Sequence, residues 1–333
     1  MNFSGKKIFV VGGAGYIGSH VCKAIYDKGG QPITFDNFSS GHEHSVKWGA
    51  FVNIDIRDRE ASLAAFKEAG IAYAVVHLAS SIEVGIGEQA PAEFYENNVI
   101  GAYNLLEVMR VCGLDRLIFS STCATYGDTD QMPITETQTQ NPFSVYGKTK
   151  LAIEHMIQSY NKAYGLSYIT LRYFNACGAD PSGEIGEEHE PETHLIPIAL
   201  ASAAGLRAKM KIFGSDYDTR DGTCIRDYIH VNDIAHAHIC GFEAFEKGLT
   251  SAEVNIGTGK GVSNLEILKM IETVTGRQVP YENAARRSGD LTQLYADPQK
   301  AKNVLGFTAQ YSDLKNIIQT AWGFHKNKWK NKA

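Results

Sequence analysis

Short apolar runs alternate with segments of helical periodicity through the first half of the chain. The runs have the length of buried strands, and their alternation with helical patterns is typical of βαβ units. The pattern predicts an α/β fold with a Rossmann-type, doubly wound parallel sheet over residues 1–175. The apolar runs are KIFVV, PITF, FVNID, AVVHLA, RLIFSS and SYITLRYF.

The rhythm changes after about residue 175. An acidic, loop-rich stretch, GADPSGEIGEEHEPETH, precedes the shorter strand candidates MKIF and EVNIG and helical patterns near 231–247, 263–275 and 312–327. We expect a smaller mixed α/β substrate-binding lobe over residues 176–333, with possible exchange of chain between the two lobes.

Composition narrows the class of protein. The chain has 333 residues, of which 44% are hydrophobic, so it can bury a large core. Its net charge of -5 argues against a nucleic acid or a membrane surface as partner. Six cysteines lack any C-x-x-C pair, so neither a metal site nor a disulfide framework is predicted. With no apolar stretch of membrane-spanning length, a cytoplasmic location is expected.

A glycine-rich turn follows the first strand. In GGAGYIG, Gly12, Gly15 and Gly18 allow the backbone to approach a pyrophosphate at the start of a helix. Asp36 ends the second strand, 18 residues past Gly18, and suits a ribose-binding acid that favours NAD over NADP. A glycine turn without a ligand is the disfavoured alternative. Asp55 is either an adenine partner or a helix cap.

The stretch SVYGKTK places Tyr146 and Lys150 four residues apart on one helix. Lys150 lies on the apolar, inward-facing stripe, whereas a solvated lysine would lie on the opposite face beside Glu154 or Gln158. A desolvated ammonium near a phenol lowers the pKa of the phenol, so Tyr146 is a candidate general base, with a surface pair as the alternative. The stripe consists of Tyr146, Lys150, Ile153, Ile157, Tyr160 and Tyr164.

Two hydroxyls lie where another strand ends. The stretch FSSTCATYG puts Ser121 and Thr122 at the carboxyl edge of the sheet, where ligands bind in such folds. A hydroxyl there can share the proton that Tyr146 moves. The alternative is a turn in which these side chains satisfy backbone groups.

Together these motifs resemble the UDP-sugar 4-epimerases of the extended short-chain dehydrogenase/reductase family. The resemblance runs along nearly the whole chain, through GGAGYIGSH, the DN at Asp36, NNVIG, Tyr146-x-x-x-Lys150, LRYFNACGAD, HLIP, DGTCIRDYIHV and RRSGDL. It implies interconversion of UDP-galactose and UDP-glucose through a transient 4-keto sugar and tightly bound NAD. It also implies a homodimer through the helix that carries the Tyr/Lys pair, where Leu151 and Met156 are apolar.

Other activities stay open at this point. A UDP-N-acetylglucosamine or UDP-pentose 4-epimerase would use the same chemistry. A nucleotide-sugar dehydratase is less favoured, because its Asp-Glu pair after the threonine is replaced by Cys123 and Ala124. A non-catalytic NAD-sensing protein would not need an inward Tyr/Lys pair.

The resemblance also implies roles for individual residues. The catalytic residues are Tyr146, Lys150 and Thr122. The cofactor-binding residues are Gly12, Gly15, Tyr16, Ile17, Gly18, Asp36, Asn37, Asp55, Ile56, Leu78, Ala79, Asn97, Ser120, Tyr146, Lys150 and Tyr173. The substrate-binding residues are Thr122, Phe174, Asn175, His194, Leu195, Arg226, Arg287 and Asp290, with the two arginines on the diphosphate.

Four positions depart from the common pattern of the family. Thr122 replaces a serine and keeps its hydroxyl, and His194 replaces an asparagine and keeps its hydrogen-bonding ability. Ile82 stands where many members have a lysine near the cofactor diphosphate. Leu294 occupies the position whose bulk limits the space beside the sugar's 2-substituent.

Overall fold

The computed structural model describes residues 3–129, 131–287 and 289–330. The strands of the described residues are β1 (Lys7–Val11), β2 (Gln31–Asp36), β3 (Ala50–Asn53), β4 (Ala74–His77), β5 (Arg116–Thr122), β6 (Ser167–Tyr173), β7 (Asn175–Cys177), β8 (Met210–Phe213), β9 (Ile225–His230), β10 (Ser251–Ile256), β11 (Gly261–Ser263), β12 (Tyr281–Ala284) and β13 (Gln293–Leu294).

The helices alternate with these strands. They are α1 (Tyr16–Asp27), α2 (Arg59–Ala69), α3 (Val84–Gln89), α4 (Pro91–Phe94), α5 (Gly101–Val111), α6 (Val145–Tyr164), α7 (Leu195–Ala203), α8 (Val231–Glu246), α9 (Asn264–Thr275), α10 (Gln299–Leu305) and α11 (Leu314–Lys330). A π-helical segment, Tyr95–Ile100, joins α4 to α5, and short 3₁₀ turns cover Glu43–Ser45 and Cys123–Thr125. Across the described part of the chain, every helix is too short or too polar to cross a bilayer.

The large sheet has seven parallel strands in the order β10-β6-β5-β4-β1-β2-β3. From β1 the chain builds outward first through β2 and β3, and then in the other direction from β4. The carboxyl ends of β1 and β4 therefore flank a crevice at the point where the strand order reverses. The predicted Rossmann-type, doubly wound sheet is confirmed.

Both faces of this sheet are buried, which explains its nearly continuous apolar strands. Along β1, Ile8 and Val10 join a core cluster with α1 and α8, whereas Phe9 and Val11 join a cluster with α2, α5 and α6. Alternate side chains of one strand thus fill two separate cores. This packing fixes the strand register and hence the position of the strand ends that form the crevice.

The chain after residue 175 contributes to both parts of the molecule. Helix α8 packs against α1, and β10 pairs with β6 at the edge of the large sheet. The candidate EVNIG, expected in the smaller lobe, therefore lies in the large sheet. The boundary at residue 175 stays a prediction.

The smaller lobe is built on two short sheets. Strand β9 pairs with β7, β11 and β13, and β8 pairs with β12. Helices α7, α9 and α11 cover this lobe with a core of their own, which includes Leu200, Ile271 and Ile317. Because β7 follows β6 after a single residue, this lobe begins at the carboxyl edge of the large sheet.

Candidate active site

The turn between β1 and α1 has room only for glycine at two positions. Gly12 has a φ of +88°, and a Cβ there would lie 2.5 Å from the backbone nitrogen of Ala79. A Cβ on Gly18 would lie 2.0 Å from the carbonyl oxygen of Gly12. No described side chain caps α1 at Gly15, so the first N–H groups of the helix are available to a pyrophosphate.

Asp36 is held at the carboxyl end of β2. Its carboxylate accepts hydrogen bonds from the backbone N–H groups of Ala14 at 3.0 Å and Phe38 at 2.9 Å. Burial raises the pKa of this carboxyl. Because an ionised carboxylate has about four acceptor positions, it can still accept from ribose hydroxyls. The glycine turn fits the pyrophosphate of an adenosine diphosphate, and Asp36 fits its ribose.

Asp55 lies beside Asp36 but does not cap a helix. Its carboxylate accepts hydrogen bonds from Arg57 Nη2 at 2.6 Å and from Asn37 Nδ2 at 3.0 Å. The Arg57 hydrogen bond lowers the pKa of Asp55 to about 2. The cap of α2 is Asp58, which accepts from the N–H of Ala61. The helix-cap alternative for Asp55 was therefore wrong, and its adenine contact stays a prediction.

Three further predicted cofactor residues lie at the glycine turn, and a fourth, Ile56, lies against α5. The N–H groups of Leu78 and Ala79 both donate to Val11 O, at 2.8 and 3.1 Å, which brings the end of β4 over the turn. Ile17 packs against the core on α1, and Ile56 is buried at 6% exposure.

Tyr16 is the remaining predicted contact of the turn. It begins α1, and its hydroxyl donates to Gly178 O at 2.7 Å. This bond ties the start of the nucleotide-binding helix to the smaller lobe. Tyr16 can therefore offer a cofactor its backbone N–H and its ring, whereas its hydroxyl is already used.

The π-helical segment carries two adjacent asparagines. Asn97 Nδ2 donates to Ser81 Oγ at 3.0 Å. The neighbouring Asn98 is fully buried, and its Nδ2 donates to Ser81 O and to Thr149 Oγ1, both at 3.1 Å. Asn98 thus ties the loop after β4 to α6, next to Lys150. Asn98 was not predicted from the sequence. It lies in a π-helical turn, and such turns are frequent at functional sites.

Lys150 points into the protein, as its stripe predicted. The residue is 2% exposed, and its Nζ donates to Ser120 O at 2.8 Å. The same nitrogen lies 5.0 Å from the centre of the Phe119 ring and 5.8 Å from that of Tyr146. Burial lowers the pKa of Lys150 to about 7. The inward orientation is confirmed, and the surface-pair alternative was wrong.

Tyr146 is half-buried, and its phenol differs from the expectation. Burial raises its pKa well above the ordinary value, while a hydrogen bond with the Thr122 side chain lowers it. Lys150 was predicted to lower the pKa of Tyr146, but it makes no contribution to this pKa. The physical reason is that the ammonium is directed at Ser120 O and is itself desolvated.

Thr122 combines the two alternatives weighed for it. Its hydroxyl accepts from the N–H of Ala124 at 3.1 Å, as in a turn, and it also reaches the Tyr146 phenol. Ser121 is different, because its hydroxyl donates to Glu154 on the other side of the strand. Of these two hydroxyls, Thr122 is the one placed beside Tyr146.

Glu154 was expected on the solvated face of α6 and is instead 1% exposed. Its carboxylate pairs with Arg172 of β6 at 2.7 Å, and Arg172 also donates to the Tyr126 hydroxyl at 2.8 Å. This network anchors α6 one turn past Lys150. A signal was present, because an arginine inside an apolar, doubly covered strand requires a buried partner. Tyr164, expected inward, is 62% exposed because α6 ends there.

The end of β6 turns toward the smaller lobe. Tyr173 pairs with Thr122 in the sheet, but its hydroxyl contacts His238 Nε2 at 3.0 Å inside the core. Phe174 is buried in a cluster that Leu294 also contacts. Asn175 opens β7, opposite β9. Phe174, Asn175 and Leu294 therefore lie around the carboxyl end of β6.

Two predicted diphosphate ligands share one carboxylate. Arg287 Nε donates to Asp290 at 2.9 Å, and Arg226 Nη2 lies 3.9 Å from the same carboxylate. Arg226 Nη1 also donates to Leu291 O at 2.7 Å, which fixes its guanidinium. The structure brings all three predicted residues together, with two cations on one side of the smaller lobe.

Leu195 and His194 lie at the start of α7. Leu195 is its first residue, and no described side chain caps the helix at His194. The Nδ1 of His194 lies 2.9 Å from Glu187 and 3.0 Å from Glu192. Burial lowers the pKa of His194, but the two carboxylates outweigh burial and raise this pKa to about 10. Neither glutamate was predicted from the sequence as a partner of His194.

Comparison with known proteins gives a consistent result. The model of the NAD dependent epimerase/dehydratase family matches residues 8–257. A UDP-glucose 4-epimerase of Rhizobium leguminosarum bv. trifolii is 49% identical over 97% of this chain and 98% of its own length. The UDP-glucose 4-epimerase of Brucella ovis, solved in complex with NAD, has 49% identity and a TM-score of 0.93, covering 95% of this chain and 97% of that one.

A more distant structure widens the range of substrates among the relatives. The UDP-Glc/GlcNAc 4-epimerase of Campylobacter jejuni is 36% identical, with a TM-score of 0.85 over 97% of this chain and 100% of that one. The resemblance predicted from the sequence motifs is confirmed. The chain belongs to the NAD dependent epimerase/dehydratase family.

Proposed function

We propose that this protein is an NAD-dependent enzyme that interconverts UDP-galactose and UDP-glucose by inverting carbon 4 of the sugar. The relatives named above support this activity over nearly their whole length. The observation that carries the proposal is the cluster of Tyr146, Thr122 and the buried Lys150 at the carboxyl edge of a dinucleotide-binding sheet.

Tyr146 is the proposed general base. As a phenolate, Tyr146 takes the proton from the sugar's 4-hydroxyl and later returns it, with Thr122 sharing the proton. Bound NAD supplies the hydride acceptor and donor for carbon 4, and a positive charge beside the phenol. Because burial raises the pKa of Tyr146, the residue holds its proton until positive charge arrives. Tyr146 thus becomes an effective base only when NAD occupies the crevice.

Lys150 is the proposed second cation of the site. Its ammonium is fixed by Ser120 O at the end of β5. We assign it to the nicotinamide ribose, where a desolvated ammonium donates strong hydrogen bonds. Burial lowers the pKa of Lys150 to about 7, and a hydrogen-bond acceptor beside the ammonium favours its charged form.

The smaller lobe is proposed to hold the uridine diphosphate. Arg226 and Arg287 are forked donors matched to phosphate oxygens, and they already share the Asp290 carboxylate. We assign Asp290 to the uridine ribose and Leu195, at the start of α7, to the uracil. With the diphosphate held there, the 4-keto sugar can turn about its bond to the diphosphate and present its other face to the cofactor.

The residues after Thr122 favour epimerisation over dehydration. Elimination of water requires an acid and a base at this turn. Cys123 is buried against Phe174, and burial raises the pKa of its thiol to about 12. Neither Cys123 nor Ala124 can therefore act as a carboxylic acid would. The proton-transfer group of this turn is Thr122 with Tyr146.

A direct experiment is to incubate the purified protein with UDP-galactose and no added cofactor, and to analyse the products. We expect UDP-glucose to form, because NAD stays bound through the reaction. A parallel incubation with UDP-N-acetylgalactosamine tests the second sugar class. Product that carries a 4,6-dehydration, or no product from a protein that contains NAD, would overturn the assignment.

We also propose a homodimer through α5 and α6. These helices pack side by side, and they expose Tyr103 (40%), Val111 (46%) and Tyr164 (62%). Met156, expected on this surface, is partly buried and also packs against the core. Light scattering should give twice the chain mass for the wild type and the single mass for Tyr103→Glu. Tyr26→Glu, on α1, is the control. The cytoplasmic location stays a prediction.

A further inference from the structure

Four side chains of the segment before α7 converge on one point. Glu187, His189, Glu192 and His194 each contribute one donor atom, and these atoms all lie within 4.8 Å of one another. His194 Nδ1 lies 2.9 Å from Glu187 Oε1 and 3.0 Å from Glu192 Oε1. His189 Nδ1 lies 3.5 Å from Glu187 Oε1 and 3.8 Å from Glu192 Oε2.

Two of these atoms are buried and lack a hydrogen bond among the described residues. They are Glu187 Oε1 and His189 Nδ1. Glu187 as a whole is 3% exposed. A buried carboxylate oxygen without a hydrogen bond is costly. A divalent cation between this oxygen and the two imidazole nitrogens, which release their protons when they bind a metal, would satisfy all the groups at once.

The donor set selects a class of metal. Two imidazole nitrogens and two carboxylate oxygens are ligands that Zn²⁺ accepts in tetrahedral geometry, with bonds of about 2.0–2.2 Å. Such bonds place neighbouring ligand atoms about 3.4 Å apart, close to the separations seen here. We propose that Glu187, His189, Glu192 and His194 form a structural site for a divalent transition-metal ion, with Zn²⁺ as the best match.

The place of the cluster in the fold indicates what the ion would do. The His189 ring lies 6.2 Å from the ring of Tyr16, which starts α1. Between the ligands, Glu188 binds Lys328 of α11 and contacts His44 after β2. An ion here would brace the start of α7 against both the nucleotide-binding helix and the C-terminal helix. It would therefore stabilise the contact between the two lobes.

The cysteine pattern alone predicts no metal site, and the ligands proposed here are histidines and glutamates. Their spacing, E-x-H-x-x-E-x-H, lies within the stretch whose composition predicts an acidic loop. Without an ion, the same four residues would form a network of imidazolium and carboxylate groups. That network is the competing account, and it binds no metal.

The experiment measures zinc in the full-length protein after dialysis against Zn²⁺ and gel filtration in metal-free buffer. We expect about one ion per chain in the wild type and at least about tenfold less in His189→Ala and Glu187→Gln. His44→Ala is the matched control, because it removes a neighbouring exposed histidine that is outside the ligand set. This control should retain the wild-type zinc content.

A crystal measured at the zinc absorption edge locates the ion independently of the variants. An anomalous peak between the four side chains supports the site even where a variant fails to fold. Wild-type protein that leaves the column free of zinc would overturn the proposal. Equal zinc retention by the wild type and His189→Ala, or a peak elsewhere, would also overturn it.

Discussion

Lys150 and Tyr146 show how burial sets the chemistry of single residues. Burial weakens the charge of the lysine and keeps the proton on the tyrosine. Burial therefore favours the neutral form of both side chains, in a site that is proposed to bind a charged cofactor. The sequence spacing could place the two side chains on one face, but it could not reveal that Ser120 O, and not the phenol, receives the ammonium.

Replacing Tyr146 by phenylalanine should separate catalysis from cofactor binding. Tyr146→Phe removes the base but keeps the ring, so we expect bound NAD to remain while kcat falls by about 10²–10⁴-fold. The measurement compares epimerase turnover with the NAD content of the denatured protein. Tyr160→Phe, on the same helix, is the control and should keep near-normal turnover. Comparable turnover in both variants would remove the role assigned to Tyr146.

Asp36 should control both the affinity and the choice of dinucleotide. Asp36→Ala removes hydrogen bonds to a charged acceptor, each worth about 1.5–3 kcal/mol, so we expect NAD affinity to fall by about tenfold or more. Discrimination against NADP should fall with it, since no carboxylate then repels the 2′-phosphate. Titration of both dinucleotides measures this, with the exposed Asp27→Ala as control. Unchanged NAD affinity in Asp36→Ala would contradict the assignment.

At the level of elements, α6 is held in place by charge buried beneath it. The pair of Glu154 and Arg172 has side-chain exposures of 1% and 3%. It joins the helix of the catalytic residues to β6, the strand that leads to Phe174 and Asn175. Its geometry therefore positions one side of the site against the other.

Removing one member of this pair should be strongly destabilising. Glu154→Gln leaves the Arg172 charge without its partner, and we expect a loss of about 3–5 kcal/mol in the free energy of unfolding. Urea unfolding measures this. The double variant Glu154→Leu/Arg172→Leu should recover much of the loss, because no charge is then left buried. Asp27→Ala, which breaks an exposed pair, should cost less than about 1 kcal/mol. A similarly small loss in Glu154→Gln would contradict this view of α6.

The elements were largely predictable, and the reasons for the failures are physical. Strands with both faces buried stand out as apolar runs, and the helix patterns after residue 175 agree with α8, α9 and α11 to within about three residues. EVNIG was assigned to the wrong lobe because periodicity carries no information about which sheet a strand joins. Glu154 and Asn98 were missed because a buried polar residue is recognised only through its partner.

At the scale of the whole molecule, stability should depend on histidines buried without charge. His77 ends β4 at 2% exposure, and burial lowers its pKa to about 3, with Lys150 adding to the effect. The unfolded chain therefore takes up the proton first. The stability that neutral His77 contributes is complete above about pH 6.5 and is lost as the pH falls toward 3.

This effect can be isolated by a variant. Between pH 7 and pH 5, the wild type should lose about 2 kcal/mol more than His77→Phe, which cannot titrate. Urea unfolding at the two pH values measures the difference. His155→Asn, at an exposed position of α6, should keep the wild-type pH dependence. An identical loss in the wild type and His77→Phe would show that His77 is not the group responsible.

The two lobes together make a site in which one sugar is oxidised and reduced without leaving. The most direct test uses UDP-galactose that carries deuterium at carbon 4, with the isotope followed into the product by NMR and mass spectrometry. Our account predicts UDP-glucose that retains deuterium at carbon 4, because the hydride leaves and returns within one enclosed complex. Replacement of the deuterium by hydrogen from the solvent, or its appearance at another carbon, would contradict it.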